Sequence, residues 1–483
     1  MIQMTGMFQA PVRLLDVSRL ARYVGAERQA ALMAQAAQVR EAMAGRVLWN
    51  VNSTATGGGL AEMLAQLVAY ASGAGVDSRW LVAEGHPDFF AIMKRVRNGL
   101  YGGPGDGGEL GRAEQRVYQE VTEANLEQLC ERVRPGDVVI LHDPQTAGLC
   151  RIREELGVPV VWRCHVGKDE PDSWTERAWE FLRRPHLDHV DVHVFSRESY
   201  APKWIDRDRL VVIPPSIDPL SAKNQPINDD TLLAILVQTG LLAGRPAAGA
   251  PTFRREDGAI GVVERQATVF REGSPPPLGT RLVVQVSRWD RLKDMQGVLE
   301  GFAAGVALRG GYDDTHLSLV GPSVERVADD PEDQQVLAEC AAAWGRLPEQ
   351  ARRRCSLVSL PMHDVEENAA IVNAIQRFAA IVVQKSLMEG FGLTVSEAMW
   401  KARPVVATAV GGIRDQIVHE EHGLLLGDPT DLDGFGASLR RLLDDPDLAN
   451  RLGRAAQHRV SERFLPDRHL LQWAGVLSRL GLG

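Results

Sequence analysis

Two glutamates, Glu389 and Glu397, lie eight positions apart in the stretch EGFGLTVSE. The apolar run before Glu389 predicts a strand, and Leu393 and Thr394 predict the beginning of a helix. Helix N-termini bind phosphate oxygens through backbone N–H groups, and a carboxylate accepts two hydroxyl hydrogen bonds. One glutamate could therefore hold a sugar and the other a ribose, with a diphosphate between them. The alternatives are a solvent-facing helix position for Glu397 and a turn or cap position for Glu389.

A pair of basic residues follows another predicted strand. The segment SRWDRLKD places Arg288 and Lys293 five residues apart, just beyond the strand's apolar part. Two cations there could clamp a diphosphate and stabilise negative charge on a departing nucleotide. A solvated basic turn is the alternative, and the position at a strand end favours the functional interpretation.

The first half of the chain also carries polar groups where predicted strands end. HDPQ (142–145) and WRCH (162–165) each follow a short apolar run, and Gly57–Gly59 precede an amphipathic helix. Glycines let backbone approach a ligand closely, and the helix start favours an anion there. A flexible glycine turn and a histidine satisfied by ordinary hydrogen bonds are equally simple explanations.

Several common chemistries lack their motifs. The Gly57–Gly59 string is not a G-x-G-x-x-G fingerprint, so dinucleotide binding is not supported there. The chain contains no G-x-x-x-x-G-K-[ST], no G-x-S-x-G, no H-E-x-x-H and no paired Cys/His spacing. The D-x-D strings Asp206–Asp208 and Asp445–Asp447 lie in charged turn-like segments, and so short a pattern is not specific. We therefore expect no catalytic metal and no bound cofactor.

The elements that position these residues alternate between strand and helix. Such alternation predicts parallel sheets covered on both faces, which is an α/β fold. Strands are predicted at 46–54, 78–85, 137–143, 159–165, 190–196, 209–218, 280–290, 315–321, 355–361, 379–386, 403–412 and 422–427, and helices at 27–44 and 60–75. Ligands of open parallel sheets bind at the carboxyl ends of the strands. Two Rossmann-like domains facing each other would therefore place all the candidate residues around one cleft.

Composition suggests the domain boundaries. The stretch 222–280 is rich in Gly and Pro and interrupts the strand–helix alternation. We predict an N-terminal domain over 1–215, a connection with an insertion over 216–280, and a C-terminal domain over 281–465. The amphipathic closing helix, 466–483, is expected to join the N-terminal domain.

Charge and composition limit which classes of partner are expected. The chain has 483 residues and a formal net charge of −9, which disfavours nucleic-acid and membrane-surface binding but permits a local basic pocket. Five scattered cysteines, no signal-peptide pattern and no apolar run near the ~20 residues of a membrane helix suggest a cytoplasmic protein.

The quoted motifs together resemble a known family. EGFGLTVSEAMW resembles the E-x7-E motif of family-four retaining glycosyltransferases with the two-domain GT-B fold, and SRWDRLKD resembles their diphosphate clamp, with Asp294 where glycine is usual. In the first half, NSTATGGGLAEML, RWLVAEGHPDFF, HDPQTAGL, WRCHV and PPSIDPLSAKN resemble the trehalose glycosyltransferring synthase group. The similarity spans 46–222 and 281–475, whereas 225–280 is longer than expected and the first forty residues have no counterpart.

The resemblance implies a role for each candidate residue. Glu389 would bind hydroxyls of a donor glucose, Glu397 the nucleotide ribose, and His165 the donor sugar near its reacting carbon. Asp143 and Gln145 would hold an acceptor glucose. The diphosphate would be held by Arg288 and Lys293, helped by backbone at Gly392, Leu393 and Thr394, and Gly390 and Phe391 would also belong to the donor-binding residues. Gly57, Gly58 and Gly59 would shape the floor of the cleft near the phosphates.

The resemblance also implies a reaction. Glucose would move from UDP- or ADP-glucose to free glucose with retention of configuration, giving α,α-trehalose, and neither a metal nor a protein nucleophile would be required. The departing phosphate would take the acceptor's proton. The base would lie near the SLPMHD loop (359–364), and a homodimer is compatible with the related synthases.

Three alternatives remain open from the sequence. A retaining trehalose phosphorylase would share the fold and use glucose 1-phosphate. Another family-four transferase would pass the sugar to an inositol, an amino sugar or a secondary metabolite. A non-catalytic sugar-nucleotide sensor would have less need for all four of Arg288, Lys293, Glu389 and Glu397.

Overall fold

The computed structural model of the chain describes residues 6–55, 58–245, 249–324 and 331–482. It divides into two compact units. The first comprises Met1–Ser216 together with Phe464–Gly483, and the second comprises Ile217–Arg463. The helix α16 (Pro466–Arg479) therefore belongs to the first unit. Among the described residues, no helix combines the length and the hydropathy that crossing a bilayer requires.

The first unit is built around one mixed sheet. Its strands are β1 (Phe8–Gln9), β2 (Leu48–Asn52), β3 (Ser78–Val82), β4 (Val138–His142), β5 (Val160–Cys164), β6 (Val192–Phe195) and β7 (Leu210–Val212). Its other helices are α1 (Ala21–Ala42), α2 (Gly58–Gly73), α3 (Pro87–Leu100), α4 (Arg112–Cys130), α5 (Ile152–Leu156) and α6 (Ser173–His186). The strand order is β1-β3-β2-β4-β5-β6-β7, and only the short edge strand β1 pairs in the antiparallel sense among the described residues.

Burial explains why these segments form strands. Every residue of β2, β4 and β5 is buried, as expected for parallel strands covered on both faces. One face packs under α3, α4 and α6 around the fully buried Trp162. The other face packs on α16 through Ala474, Val476 and Leu477.

The second unit repeats this plan. Its strands are β8 (Thr252–Arg254), β9 (Ile260–Val262), β10 (Thr268–Phe270), β11 (Arg281–Val286), β12 (Thr315–Pro322), β13 (Cys355–Leu360), β14 (Ile381–Gln384), β15 (Val405–Thr408) and β16 (Leu424–Leu426). Its helices are α7 (Asp229–Gln238), α8 (Met295–Phe302), α9 (Pro331–Arg346), α10 (Glu349–Arg352), α11 (Val365–Phe378), α12 (Leu393–Trp400), α13 (Ile413–Gln416), α14 (Leu432–Asp444) and α15 (Pro446–Arg463). The main sheet has the order β10-β13-β12-β11-β14-β15-β16. The predicted α/β class, with two mostly parallel sheets, is confirmed.

The segment predicted as a connection with an insertion packs within the second unit. It contributes α7, the antiparallel hairpin β8–β9, and β10, which pairs antiparallel with β13 at the sheet edge. These strands have only three residues each and lie among Gly and Pro, so sequence periodicity did not identify them.

Candidate functional site

In the second unit, the loops that follow β11 and β14 leave the same edge of the sheet. The two strands are parallel neighbours, with Val283 opposite Ile381. Gln285 joins the loops, because its amide donates to the carbonyl of Lys293 at 2.7 Å and its side-chain oxygen accepts from the N–H of Lys385 at 3.0 Å. Residues almost a hundred positions apart are thereby held side by side.

Lys293 and Glu389 form an ion pair at this edge. The Lys293 Nζ lies 2.6 Å from the Glu389 Oε2, and the Ser386 hydroxyl donates to the same oxygen at 3.2 Å. Both charged side chains are mostly buried. The structure thus brings together two of the residues singled out by sequence, a carboxylate and a cation suited to neighbouring hydroxyl and phosphate groups.

Arg288 is oriented by a neighbouring carboxylate. Its Nη2 lies 2.8 Å from the Asp290 Oδ2, while the Asp290 Oδ1 accepts from the N–H of Leu292 at 2.9 Å. About a third of the guanidinium side chain is exposed, which leaves it accessible to an anionic ligand.

Asp294, which departs from the family pattern, has an electrostatic role. Its backbone lies in the left-handed region, with φ of 47°, where glycine is favoured and aspartate is better tolerated than most residues. Its carboxylate pairs with Lys385, which is only 1% exposed, and accepts from the N–H of Gly297 at 3.1 Å. A buried ammonium needs a counter-charge, so Asp294 compensates Lys385. Sequence reasoning missed Lys385, because no local pattern links it to Asp294.

The glycine turn before α12 has a fixed shape. Gly392 has φ of 83°, and a Cβ there would lie 3.1 Å from the Glu389 Cγ. The Gln416 amide donates to the carbonyls of Phe391 and Gly392, and Gly412 approaches so closely that an added Cβ would lie 2.6 Å from the Phe391 Cα. The turn from Gly390 therefore passes close to Glu389 at Gly392, immediately before α12 begins at Leu393. Gln416 is a further residue that the sequence did not identify.

Glu397 lies inside α12 and is buried, with 3% of its surface exposed. The predicted alternative, a solvent-facing helix position, is therefore wrong. Its Oε1 lies 3.5 Å from the Lys223 Nζ. Its Oε2 is buried and has no hydrogen-bond partner among the described residues. Buried polar atoms are usually satisfied, so an open carboxylate oxygen is suited to a ligand hydroxyl.

In the first unit, Asp143 and His165 follow the neighbouring strands β4 and β5. Asp143 has φ of 63°, an uncommon conformation for a non-glycine residue, and its N–H donates to the Arg163 carbonyl at 2.7 Å. Its Oδ1 accepts from the N–H of His165 at 2.8 Å. Burial raises the pKa of Asp143 to about 6, although the bond from His165 opposes the shift. Such strained, perturbed carboxyls are typical of functional sites.

Two histidines are stacked beside this carboxyl. The rings of His142 and His165 have centroids 5.9 Å apart and planes 14° apart. Burial, with a smaller contribution from the charge of Arg163, lowers the pKa of His142 to about 3 and that of His165 well below its usual value. Both rings are neutral at neutral pH. The His165 Nε2 and the Gln145 Oε1 are buried without hydrogen-bond partners in the described parts of the chain, so both can contact a ligand.

A buried arginine underlies these residues. Arg163, within β5, donates to the His469 Nε2 at 3.1 Å and to the Ile213 carbonyl at 3.2 Å, and it lies over the Trp473 ring. The His469 Nδ1 contacts the Ser216 hydroxyl at 2.8 Å. Since Arg163 can only donate, His469 must accept through Nε2 and carry its proton on Nδ1. The closing helix α16 therefore supports the strand β5, which His165 follows.

Gly58 and Gly59 lie at the beginning of α2, where both are exposed and Gly58 has φ of 83°. Gly57 lies outside the described residues. No group of three or more His, Cys, Asp or Glu side chains able to hold a metal occurs in the described ranges. The absence of a metal from the reaction stays a prediction.

Comparison with known proteins assigns the chain to a family. A model described as the N-terminal domain of trehalose synthase matches residues 50–202, and one described as glycosyl transferases group 1 matches residues 360–459. The chain is 31% identical to a trehalose synthase of Pyrococcus horikoshii over 91% of this chain and 92% of that protein. The chain belongs to the trehalose synthase family. The family resemblance inferred from the motifs is confirmed.

Other relatives of the family extend this picture. A trehalose synthase of Rubrobacter xylanophilus is 32% identical over 88% of both chains. A trehalose phosphorylase of Grifola frondosa is 26% identical over 85% of this chain, which spans 54% of that longer protein.

Solved structures establish the fold. A trehalose-6-phosphate synthase, OtsA, matches with a TM-score of 0.66 at 14% identity, covering 90% of this chain and 99% of the other. A sucrose-phosphate synthase of Thermosynechococcus elongatus matches with a TM-score of 0.62 at 16% identity, with the same coverage. The chain therefore has the GT-B fold. The glycosyl transferase model and the trehalose synthase relatives make it a glycosyltransferase of trehalose metabolism.

Proposed function

We propose that the protein transfers glucose from UDP- or ADP-glucose to free glucose with retention of configuration, forming α,α-trehalose. The observation that carries this proposal is the arrangement around the glycine turn. The Lys293–Glu389 pair, at 2.6 Å, lies before α12, and the open oxygen of Glu397 lies within it. A sugar, a diphosphate and a ribose occur in this order in a nucleotide sugar.

The donor is held by complementary charge in this proposal. Arg288 and Lys293 bind the diphosphate, and the backbone N–H groups at the start of α12 add a favourable helix dipole. Glu389 accepts hydrogen bonds from the glucose hydroxyls, and Glu397 accepts them from the ribose.

The acceptor glucose is assigned to the first unit. Asp143, as the carboxylate, accepts hydrogen bonds from its hydroxyls, and Gln145 can accept through Oε1 and donate through its amide N–H groups. The neutral His165 contacts the donor sugar as a hydrogen-bonding group without adding positive charge next to a developing oxocarbenium ion.

The chemical step requires no protein nucleophile in this proposal. The bond between the glucose C1 and the phosphate oxygen breaks, and negative charge builds on the diphosphate beside Arg288 and Lys293. A hydroxyl of the acceptor bonds to C1 on the face that the phosphate leaves, and its proton passes to the departing phosphate. Retention follows, and the two-carboxylate scheme of retaining glycosidases is not used.

A product assay tests the proposal. Purified protein is incubated with glucose and, in separate reactions, UDP-glucose, ADP-glucose or glucose 1-phosphate, and trehalose is measured by chromatography. Trehalose from a nucleotide sugar is the expected result, and it names the base. Release of the nucleotide without trehalose would contradict the assigned acceptor but would support the assigned donor.

A trehalose phosphorylase is the second candidate, favoured by the similarity to the Grifola frondosa protein. It would form trehalose from glucose 1-phosphate and glucose, releasing inorganic phosphate. If trehalose formed only with glucose 1-phosphate and not with either nucleotide sugar, glucose 1-phosphate would be the donor. The cytoplasmic location and the homodimer stay predictions, testable by fractionation and by light scattering.

A further inference from the structure

A short segment at the beginning of the second unit lies against the buried Glu397. Within it, the Lys223 Nζ lies 3.5 Å from the Glu397 Oε1, and the two side chains are 18% and 4% exposed. Lys223 is 174 positions before Glu397 in the chain, and neither strand-end reasoning nor the acidic motif points to it. It is nevertheless the cation paired with a carboxylate assigned to the donor.

The segment is anchored by a buried lysine. The Lys401 ammonium is 2% exposed and donates to the Asn224 Oδ1 at 3.0 Å, the Gln376 Oε1 at 2.8 Å and the Glu397 carbonyl at 3.1 Å. Three acceptors satisfy all three of its N–H donors. Lys401 therefore links the residue that follows Lys223 to the helix that carries Glu397.

Helix α11 and the end of α12 hold the backbone on either side of Lys223. The Asn373 amide donates to the carbonyls of Ala222 at 3.0 Å and Gln225 at 2.8 Å. Trp400 and Arg377 each donate to the carbonyl of Asn224 at 3.1 Å. A lysine side chain is flexible in solvent, but here the backbone around Lys223 is held and the side chain is mostly buried, which favours a position of its ammonium near Glu397.

The charge balance explains what this arrangement achieves. A buried carboxylate without a counter-charge is costly, and Lys223 supplies that charge at one oxygen only. The other oxygen, Oε2, remains without a hydrogen-bond partner among the described residues. One oxygen is thus held by the protein while the other is left to accept a hydroxyl.

We propose that Lys223 is a positioning residue for the donor nucleotide, acting by holding the Glu397 carboxylate so that its open oxygen accepts a ribose hydroxyl. This inference rests on the proposed function, because it assumes a donor that contains ribose. The ligand recognised is a nucleoside diphosphate, and Lys223 acts on its nucleoside part.

Isothermal titration calorimetry with UDP, ADP, uridine and adenosine tests the inference on the full chain. The variants are K223M, K223R, E397Q and the double variant K223M/E397Q, with K203M as a control because Lys203 is exposed in the first unit. We expect K223M to weaken the binding of the nucleoside diphosphate with the preferred base about tenfold. The binding of the corresponding nucleoside should weaken by a similar factor. K223R should restore most of the affinity, and K203M should leave it unchanged.

Two further readouts separate positioning from a purely structural role. In steady-state assays, K223M should raise the donor KM about tenfold with a smaller change in kcat, because the lost contact holds the ribose and not the reacting centre. The double variant should bind no more weakly than E397Q alone, since Lys223 acts through Glu397.

The contradicting outcomes are distinct. Unchanged affinity in K223M, or losses in K223M and E397Q that add fully, would overturn the inference while leaving the proposed donor intact. A loss seen with the diphosphate but not with the nucleoside would place Lys223 on a phosphate instead. If K223M does not fold, K223Q takes its place and is judged by the same criteria, with K223R still expected to bind nearly as well as wild type. If the wild-type protein binds neither diphosphate, the proposed donor fails and the inference with it.

Discussion

At the scale of single residues, the pair of Lys293 and Glu389 combines two functions. In the structure, the Lys293 ammonium balances the charge of the Glu389 carboxylate. In the proposed reaction, it would also stabilise the departing diphosphate. Because both side chains are mostly buried, removal of one leaves the other with little solvent to compensate it.

We expect K293M to lower kcat about 100-fold or more, because it removes a cation from the developing negative charge. It should also lower the free energy of unfolding by about 2 kcal/mol, because it leaves Glu389 without its counter-charge. Steady-state kinetics and urea denaturation measure the two effects. The control is R291M in the same loop, since Arg291 is half exposed and pairs with Glu339 at the surface. Near-wild-type turnover of K293M would refute the assigned role.

The raised pKa of Asp143 predicts that stability and acceptor binding depend on pH. Its folded pKa is raised from the ordinary 3.8 to about 6, so the folded protein binds this proton more tightly than the unfolded chain. The resulting contribution to stability is fully present below about pH 4 and is lost as the pH rises through about 6. Over the same pH range, the Asp143 carboxyl loses its proton, and the resulting carboxylate can accept hydrogen bonds from two hydroxyls.

We therefore expect the KM for acceptor glucose to fall as the pH rises through about 6. In D143N this dependence should disappear and the KM should stay high, although asparagine can still accept from the His165 N–H. Wild-type stability relative to D143N should decline over the same pH range, as measured by thermal unfolding. An identical pH profile in the variant would show that another group titrates.

At the scale of elements, α16 is the helix whose contribution is least evident from its position in the chain. It packs its apolar face on the first sheet and places His469 against the buried Arg163. Arg163 belongs to the strand that ends next to His165, so the end of the chain supports a candidate site residue some three hundred positions earlier.

We expect H469A to destabilise the protein by about 2 kcal/mol, because it leaves a buried guanidinium donor unsatisfied. H469Q should recover part of this loss, because its side-chain carbonyl can accept the same bond. The change should be measured by chemical denaturation together with kcat. S478A, on the exposed part of α16, should stay within about 0.5 kcal/mol of wild type. Equal stability of H469A and wild type would exclude the supporting role.

At the scale of the whole molecule, cationic side chains would do the work that a divalent metal does in other transferases. In the proposed reaction, Arg288 and Lys293 would supply the positive charge beside the diphosphate.

We expect trehalose formation to persist after dialysis against EDTA, because the proposed charge stabilisation is supplied by side chains and a helix dipole. The rate of trehalose formation before and after chelation is the measurement. A loss of activity that Mg²⁺ or Mn²⁺ restores would contradict metal independence.

The sequence by itself determined the α/β class, the order of the long strands and the family. It could do so because buried parallel strands have apolar sequences that can be recognised, and because the carboxyl ends of such strands lie at the same edge of the sheet. Glu389, Arg288, Lys293, Asp143 and His165 were therefore predicted near strand ends, and the structure places each of them there. The short strands β8, β9 and β10 were missed, since three residues carry no period.

Only the tertiary structure decided which charges meet. Lys385 with Asp294, Lys223 with Glu397, and Arg163 with His469 are each separated by between 91 and 306 positions. No local spacing encodes such pairs, because they arise from how strands and helices pack. The burial of Glu397, and hence the open oxygen on which the donor proposal rests, likewise follows from packing and not from its place in the acidic motif.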